Sequence, residues 1–488
     1  MDGFRGKIML HFARKGYIRN NQILIIVFAI LGIVFIVGLA TLHDILPLSL
    51  LALAILPLDI ILKNQFKLNM NTRMIFYLIL FFIIEEFMGA RGLNLPLPKI
   101  EMILLISLNI FSLVRNKIRI CFSKKLLWLW FVIIAFILND FISIMSLYNS
   151  IEILKISLFA FCKYFLLVFF IINEQISEEQ VRNLLKAFFI VLATGSLITV
   201  LQALDVSPAY WFQGTYDIVI RSETSRTIGY FAYPISFASH NVILFCLYFF
   251  TNKYSEKKSK IFSIAIALTI FNAILTQTRV ALLALIIIVV IDNIKHFKSM
   301  LKYIFLVLII ALIVNQFISL GDMWQVTISE YLNINGSPRQ YFIQNGLAIF
   351  RDNPMFGIGY NTYANNEVRL LSGDFIFQQY GLYLWDFAGL LTTDTFYAGL
   401  LPEFGIFGLA LVFLFGRDMF KKYKKVSKIS PTTKTYILMI LAGLILGANC
   451  SSALYSPSVG GLIWIGIGLL YSNYMKYEAT KDSYGKLM

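Results

Sequence analysis

Residues 126–148 read LLWLWFVIIAFILNDFISIMSLY, a run with a single charged side chain, Asp140. A helix of about 20 apolar residues spans the hydrocarbon core of a bilayer. The whole chain of 488 residues shares this character, since 58% are hydrophobic, 14% are charged and the mean hydropathy is +0.75. These values exclude a soluble enzyme and a disordered chain, and the long apolar runs exclude an outer-membrane barrel with its short alternating strands.

Fourteen apolar runs predict an all-α polytopic membrane protein. They lie at about 22–40, 45–62, 74–90, 100–114, 126–148, 156–172, 183–204, 235–251, 261–276, 280–294, 303–320, 394–416, 434–450 and 458–475. The predicted organisation is a basic tail (1–21), N-terminal transmembrane helices (22–204), a first outer loop (205–234), central transmembrane helices (235–320), a large outer loop (321–393), C-terminal transmembrane helices (394–475) and a second tail (476–488).

The positions of Lys and Arg predict the orientation in the membrane. With the N-terminus in the cytoplasm, 32 of the 42 Lys and Arg residues fall in segments that face the cytoplasm, which is the usual bias of membrane proteins. Fourteen spans then leave both termini cytoplasmic. Because this bias accounts for the net charge of +15, we expect no nucleic-acid partner.

The segment 321–393 is longer than a connection between two spans requires, and its sequence predicts local structure. Ser337 and Pro338 predict a helix that starts at Pro338, because serine caps helices and proline favours the first helical position. Asn353-Pro354 predicts the end of this helix, and Gly357-Ile358-Gly359 predicts a turn. Ile343, Leu347 and Phe350 fall on one face of it.

The arginines that lie outside the predicted cytoplasmic segments indicate the chemistry of the outer face. Arginine binds phosphate oxygens through a planar fork of donors, and aromatic rings pack on sugars, so arginines beside tyrosines suit a phosphate-linked carbohydrate. The alternative is a solvated loop with aromatic residues at the membrane interface. The sequence has no phosphate loop, GxGxxG, GxSxG or HExxH motif and its four cysteines are scattered, so we expect no metal site and no cofactor.

Four short stretches carry a family resemblance. They are RTIG at 226–229 with AYP at 232–234, TQTRVALLA at 276–284, Arg339 with DNPMFGIG at 352–359, and TDTFY at 393–397 with EFGIFGL at 403–409. In this order, over roughly residues 180–420, the chain resembles the O-antigen polymerase and ligase superfamily (Wzy and WaaL).

The resemblance implies a metal-independent membrane glycosyltransferase of the C type. It would act on sugars linked to undecaprenyl diphosphate at the outer face of the bacterial inner membrane. Two arginines of the family bind the lipid diphosphate, and the matching positions are Arg279 and Arg339. The residues themselves agree for Arg339, because the N-terminus of the predicted loop helix attracts anions. Arg279 sits where a span meets the outer surface.

The fourth stretch separates the two branches of the superfamily. Ligases usually open it with a histidine, whereas Asp394 takes that position here and no histidine follows His296. This difference favours a polymerase. Asp394 is the candidate base or acceptor-orienting group, and the alternative role is a helix N-cap. The candidate catalytic residues are therefore Asp394, Arg339 and Arg279.

Five further residues are candidates for substrate binding. Arginine would contact phosphate, tyrosine would pack on sugar rings, and a carboxylate would hold hydroxyl groups. These candidates are Arg226, Arg351, Tyr341, Tyr397 and Glu403. The expected partners are an undecaprenyl-diphosphate-linked oligosaccharide and membrane lipid, with a chain-length regulator and a flippase as possible protein partners.

The sequence thus predicts a polymerase of lipid-linked repeat units into O-antigen, capsule or exopolysaccharide. Two alternatives stay open: a ligase that transfers a finished glycan to a lipid or protein acceptor, and a flippase or transporter of lipid-linked sugar. Transporters usually place charged residues along the midplane in related halves, and this chain shows no such halves.

Charged residues inside spans usually pair, because an isolated charge is costly in lipid. Asp140 and Lys163 lie at similar depth in adjacent antiparallel spans, about 11–12 Å from the outer ends. We therefore expect Asp140 and Lys163 to form an ion pair. Glu85 and Glu86 are expected to be interfacial.

Overall fold

The structure is a computed structural model in which two compact units, Met1–Leu68 and Asn69–Met488, can be distinguished. It describes residues 58–90, 97–115, 123–204, 220–221, 224–225, 227–229, 231, 234–294, 301, 305, 338–363, 368, 371–372, 396–447 and 457–484. In the first unit residues 58–64 are helical, and the N–H of Leu68 donates to the carbonyl of Leu62 at 3.1 Å.

Most of the described part of the second unit is helical, and it also contains one short ribbon. Its helices are α1 (Met70–Ala90), α2 (Leu97–Arg115), α3 (Leu127–Leu147), α4 (Ile151–Glu174), α5 (Glu178–Ala203), α6 (Pro234–Tyr254), α7 (Lys260–Leu275), α8 (Arg279–Asn293), α9 (Pro338–Asp352), α10 (Phe396–Val426), α11 (Thr433–Gly447) and α12 (Pro457–Tyr484). The antiparallel ribbon joins β1 (Ile220–Arg221) to β2 (Thr224–Ser225).

The length and composition of these helices support the prediction of a membrane protein. Within the described residues, five helical stretches are long and apolar enough to cross a bilayer. They are Lys124–Leu147 (a short 3-10 helix followed by α3), Ile151–Glu174 (α4), Glu178–Ala203 (α5), Pro234–Tyr254 (α6) and Gly399–Val426 (most of α10). Eleven of the predicted spans coincide in position with described helices. The predicted span 22–40, most of 45–62 and all of 303–320 except residue 305 lie outside the described residues, so the total of fourteen spans stays a prediction.

Side-chain caps fix where two of the long helices begin. The hydroxyl of Ser150 accepts a hydrogen bond from the N–H of Ile153 at the start of α4. Ser177 does the same for the N–H of Gln180 at the start of α5. Glu178 and Glu179 follow in the first turn of α5, where the positive end of the helix dipole favours acidic residues.

Helices α6 and α12 are central in the packing. Nearly all of α6 is buried, and it packs against α7, α8, α11 and α12. Helix α12 also packs against α1, α4 and α10. A separate apolar cluster joins α3 to α10 through Val132, Phe136, Phe404 and Leu411. This last contact holds α3 next to the part of α10 that forms the candidate site.

Helix α9 begins at Pro338 and ends at Asp352, which confirms the prediction from its flanking residues. The predicted turn also forms, because Gly357 and Gly359 have φ of 71° and 102°. Ile343 and Leu347 lie on the exposed face of α9, whereas Ile349 is buried. Helix α9 packs against α10.

Candidate active site

The third and fourth stretches of the sequence meet in the structure. Helix α10 contains Pro402, and Gly405 has the non-helical conformation φ 59°, ψ −171°, so the regular hydrogen bonding of the helix is broken there. A break of this kind leaves backbone donors and acceptors that need other partners. The loop 353–359, which follows α9, supplies them.

Four backbone hydrogen bonds join this loop to the break in α10. The N–H of Ile358 donates to the carbonyl of Pro402 at 2.7 Å, and the N–H of Gly359 donates to that of Glu403 at 3.1 Å. In the reverse direction, Ile406 and Phe407 donate to the carbonyls of Pro354 and Met355 at 2.8 and 3.0 Å. We call these two segments, 353–359 and 402–407, the docked pair.

Two glycines allow the close approach within the docked pair. A Cβ atom on Gly357 would lie 2.5 Å from the carbonyl oxygen of Glu403, and one on Gly405 would lie 2.5 Å from the nitrogen of Gly357. Both glycines also have positive φ, which other residues rarely adopt. The glycines in the third and fourth stretches therefore serve the contact between the two backbones.

Helix α3 fixes the docked pair from the side. The hydroxyl of Ser143 donates to the carbonyl of Gly357 at 2.6 Å, and the amide of Asn139 donates to that of Phe356 at 3.2 Å. Asp140 Oδ1 accepts a 2.6 Å hydrogen bond from the N–H of Tyr360. Asp140 Oδ2 accepts a hydrogen bond from the hydroxyl of Ser157 on α4. Sequence reasoning did not assign these polar residues to the site.

The predicted ion pair between Asp140 and Lys163 is wrong. The ammonium group of Lys163 contacts Glu101 Oε2 at 3.1 Å instead. The physical reason is the direction of the side chains on α4. Ser157 and Lys163 are six positions apart, which is a rotation of about 240° around a helix. Because Ser157 points towards Asp140, Lys163 points towards α2.

Glu403 lies inside the docked pair. Its side chain is buried, and its Oε1 accepts a hydrogen bond from the N–H of Tyr363 at 3.1 Å. Gly399, one turn earlier in α10, lies close to the same carboxylate, since a Cβ there would be 3.9 Å from Glu403 Cδ. The structure thus gives Glu403 a role in holding the loop that follows α9. Its predicted contact with substrate stays a prediction.

The first stretch is held by a glutamine that sequence reasoning did not single out. Oε1 of Gln202, near the end of α5, accepts hydrogen bonds from the N–H groups of Ile228 and Gly229 at 3.0 and 2.9 Å. Its Nε2 donates to the carbonyl of Gly229 at 2.8 Å. Gly229 has φ of 58°, and a Cβ there would lie 2.7 Å from the ring of Phe237. Arg226 lies outside the described residues.

The second stretch forms the tight turn between α7 and α8. Gln277 has φ of 52°, and Arg279 is the first residue of α8 and is half-buried. Asn272 of α7 ties this region to its neighbours, because its Nδ2 donates to Ser196 Oγ and to Asn241 Oδ1, each at 2.9 Å. The turn therefore rests on a buried polar contact among α5, α6 and α7.

The other candidate residues are placed only in part. Arg339 lies in the first turn of α9, but its side chain lies outside the described part of the chain, as do those of Tyr341 and Tyr397. Asp394 lies outside the described residues, two positions before α10 begins at Phe396. Arg351 is exposed in the last turn of α9, and its Nε is 3.6 Å from Asp352 Oδ1. The assignment of Arg279 and Arg339 to the lipid diphosphate stays a prediction.

Residues 264–413 match the family model Wzy_C, described as O-antigen ligase. The matched segment runs from α7 into α10 and includes the turn before Arg279, the start of α9 and the docked pair. The first stretch, at 226–234, precedes it. No curated protein matches the chain. The match supports the O-antigen ligase and polymerase superfamily and a membrane glycosyltransferase activity, and it does not distinguish between the two branches.

Proposed function

We propose that this chain is a membrane polymerase that joins lipid-diphosphate-linked oligosaccharide repeat units into a bacterial surface polysaccharide. The reaction takes place at the outer face of the inner membrane, and both termini are cytoplasmic. The donor is carried by undecaprenyl diphosphate. A flippase supplies the repeat units, and a chain-length regulator binds this protein.

The docked pair is the observation that carries this proposal. Four backbone hydrogen bonds fix the loop after α9 to the break in α10. Three polar side chains of α3 hold the same loop. Rigid support of this kind keeps reactive groups in productive geometry, which is a large part of enzymatic rate enhancement. The docked pair connects the helix that carries Arg339 to the helix that follows Asp394.

The proposed chemistry follows from these positions. The nonreducing-end hydroxyl of one repeat unit attacks the anomeric carbon of the growing chain, and the bond from that carbon to the diphosphate breaks. Asp394 takes the hydroxyl proton. Arg279 and Arg339 stabilise the charge that develops on the departing lipid diphosphate, each donor contributing about 3–4 kcal/mol to the transition state. The free N–H groups in the first turn of α9 add further donors for the anion.

Five residues complete the proposed substrate site. Arg226 and Arg351 contact phosphate or charged sugar groups, Tyr341 and Tyr397 pack on sugar rings, and Glu403 holds a hydroxyl group. Because the arginines stabilise the negative charge of the leaving diphosphate, the proposed reaction uses no metal ion and no cofactor. A polymerase is proposed rather than a ligase because Asp394 stands where ligases usually have a histidine.

Reconstitution with a purified lipid-linked repeat unit tests this proposal. A polymerase converts the unit alone into a ladder of products that differ by one repeat. The Arg279→Ala variant should form no ladder. The matched control is Arg417→Ala, because Arg417 lies in the part of α10 predicted to face the cytoplasm, away from the site. Transfer only to a separately added acceptor would identify a ligase, and movement of the lipid without a new glycosidic bond would identify a transporter.

A further inference from the structure

A second group of ionisable side chains lies away from the docked pair, among α1, α2, α4 and α12. Lys163 Nζ donates to Glu101 Oε2 at 3.1 Å, and the side chain of Glu101 is fully buried. The same ammonium group lies 5.1 Å from the centre of the Tyr164 ring. Glu85, on α1, lies within hydrogen-bonding reach of the Glu101 carboxyl group.

One oxygen atom of Glu85 and one of Glu101 lack a hydrogen-bond donor among the described residues. Glu85 Oε2 and Glu101 Oε1 are both buried and accept no hydrogen bond from a donor among the described residues. Two carboxylates beside one ammonium group would leave a net negative charge in the buried interior of the protein, which is strongly unfavourable. A proton bound here would cancel the net negative charge and would also supply a donor hydrogen between the two carboxyl groups.

Glu86, the neighbour of Glu85 in sequence, has its own donors. Glu86 Oε1 accepts hydrogen bonds from the N–H and the hydroxyl of Ser458, at 3.3 and 2.8 Å. Ser458 is the second residue of α12. These two donors, at the N-terminus of α12, stabilise a negative charge on Glu86, and Glu85 Oε2 has no such donor among the described residues. Glu86 is thus a matched control for Glu85.

We propose that Glu85 and Glu101 bind one proton between them, carried by Glu85 and donated to Glu101, so that these two side chains and Lys163 together carry no net charge. The ionisable groups that face this proton are Glu85 and Glu86 on α1, Glu101 on α2, and Lys163 and Tyr164 on α4, while α12 contributes the polar Ser458. This site is independent of the proposed polymerase activity.

A proton fits this place better than a metal ion. Two oxygen atoms are enough to share a proton, whereas hard metal ions need about six oxygen ligands. In the described ranges, no group of three or more His, Cys, Asp and Glu residues could hold a metal ion. Loss of the proton leaves an unbalanced carboxylate between α1 and α2. The cluster therefore weakens as the pH rises.

Infrared spectroscopy and thermal unfolding of the full-length protein in detergent test the proposal. The wild-type protein should show a protonated-carboxyl band that disappears as the pH is raised, together with a fall in the unfolding temperature. The Glu85→Gln variant should lose one such band, keep its yield of folded protein within about twofold because glutamine also donates a hydrogen bond, and no longer lose stability at high pH. Glu86→Gln should retain both the band and the fall in stability.

The Glu101→Gln variant completes the test, because it removes the carboxylate that balances Lys163. Its yield of folded protein should drop about tenfold or more at every pH. Equal losses in Glu85→Gln and Glu101→Gln would overturn the proposal, as would sodium-dependent stability at fixed pH. If Glu85→Gln does not fold, the spectrum of the wild-type protein still decides, since a wild type without a titrating carboxyl band contradicts the shared proton.

Discussion

The backbone N–H of Tyr360 donates a 2.6 Å hydrogen bond to Oδ1 of Asp140, although 220 positions separate them in the sequence. Asp140 lies on α3, outside the segment 264–413 that matches the O-antigen ligase family, whereas Tyr360 lies inside it. The second oxygen of Asp140 accepts a hydrogen bond from Ser157. One carboxylate therefore connects two N-terminal helices to the loop that forms the docked pair.

Replacing Asp140 should loosen this loop. In Asp140→Ala, the N–H of Tyr360 and the hydroxyl of Ser157 lose their acceptor, and a buried group without its partner costs about 1–3 kcal/mol of stability. Asp140→Asn should cost less, because the amide oxygen can still accept from Tyr360. Thermal unfolding of the detergent-solubilised proteins compares the stability of the two variants with that of the wild type. Equal stability of the Ala variant and the wild type would show that this contact does not hold the loop.

Asp140 and Lys163 should act independently, because each has its own partner. Changes at separate sites without shared partners add to within about 0.5 kcal/mol. The Asp140→Ala and Lys163→Ala changes should therefore combine with no rescue in the double variant. A double variant more stable than either single variant would instead indicate a direct ion pair. The same unfolding measurement on three variants decides between these outcomes.

Gly357 and Gly405 of the docked pair should be intolerant of substitution. Gly405→Ala places a Cβ 2.5 Å from the nitrogen of Gly357 and forces alanine into a positive φ, a conformation that alone costs about 1–2 kcal/mol. Polymer formation and stability should both fall. Gly416 is the matched control on the same helix, since nothing lies within 4 Å of a Cβ there. Gly416→Ala should be neutral or more stable by about 0.5–1 kcal/mol.

The parts of the fold that the sequence predicted are those set by local rules. The start of α9 at Pro338, its end at Asp352 and the glycine turn that follows depend on neighbouring residues. The partner of Lys163 depends on the direction in which a side chain leaves its helix. The predicted ion pair of Asp140 and Lys163 rested only on their similar depth along the helix axes and not on the direction of their side chains, so it was wrong.

The docked pair could not be predicted from neighbouring residues in the sequence. Pro402 and Gly405 could be read as a weakness in α10, but the partner that satisfies the broken backbone lies more than 40 positions earlier. The role of Gln202 is similar, because a glutamine near a helix end gives no sign that it binds the backbone 26 and 27 positions later. Such contacts depend on how distant segments pack.

The predicted orientation can be tested with reporter fusions. Fusions at Lys257, Lys298 and Lys424 should report the cytoplasm, because these lysines belong to segments that carry the excess of positive charge. Fusions at Tyr216 and Asp374 should report the outside. A cytoplasmic signal at Asp374 would contradict the proposed function, since the candidate site would then face the wrong side of the membrane.

Arg279 and Arg339 should be close in space, because one diphosphate must contact both. Changing either residue to Ala should abolish polymer while the protein level and the lipid-linked monomer stay normal. Lysine should restore activity only in part, because it keeps the charge but loses the two-pronged hydrogen bonding of arginine. Polymer length on gels, at matched expression, measures the effect. Normal polymer from either alanine variant would remove the proposed diphosphate site.

Asp394→Asn separates the two roles that the sequence allows for Asp394. If the carboxylate is the base that accepts the hydroxyl proton, asparagine should lower turnover by about 100-fold or more, because general-base catalysis contributes that much. If Asp394 only caps the start of α10, asparagine should be nearly silent, since asparagine caps helices as well as aspartate does. Initial rates with the lipid-linked repeat unit measure the effect, and unfolding temperatures control for stability. A slow variant with unchanged stability supports the base, whereas wild-type turnover assigns Asp394 to the helix cap and leaves the proton acceptor to another residue.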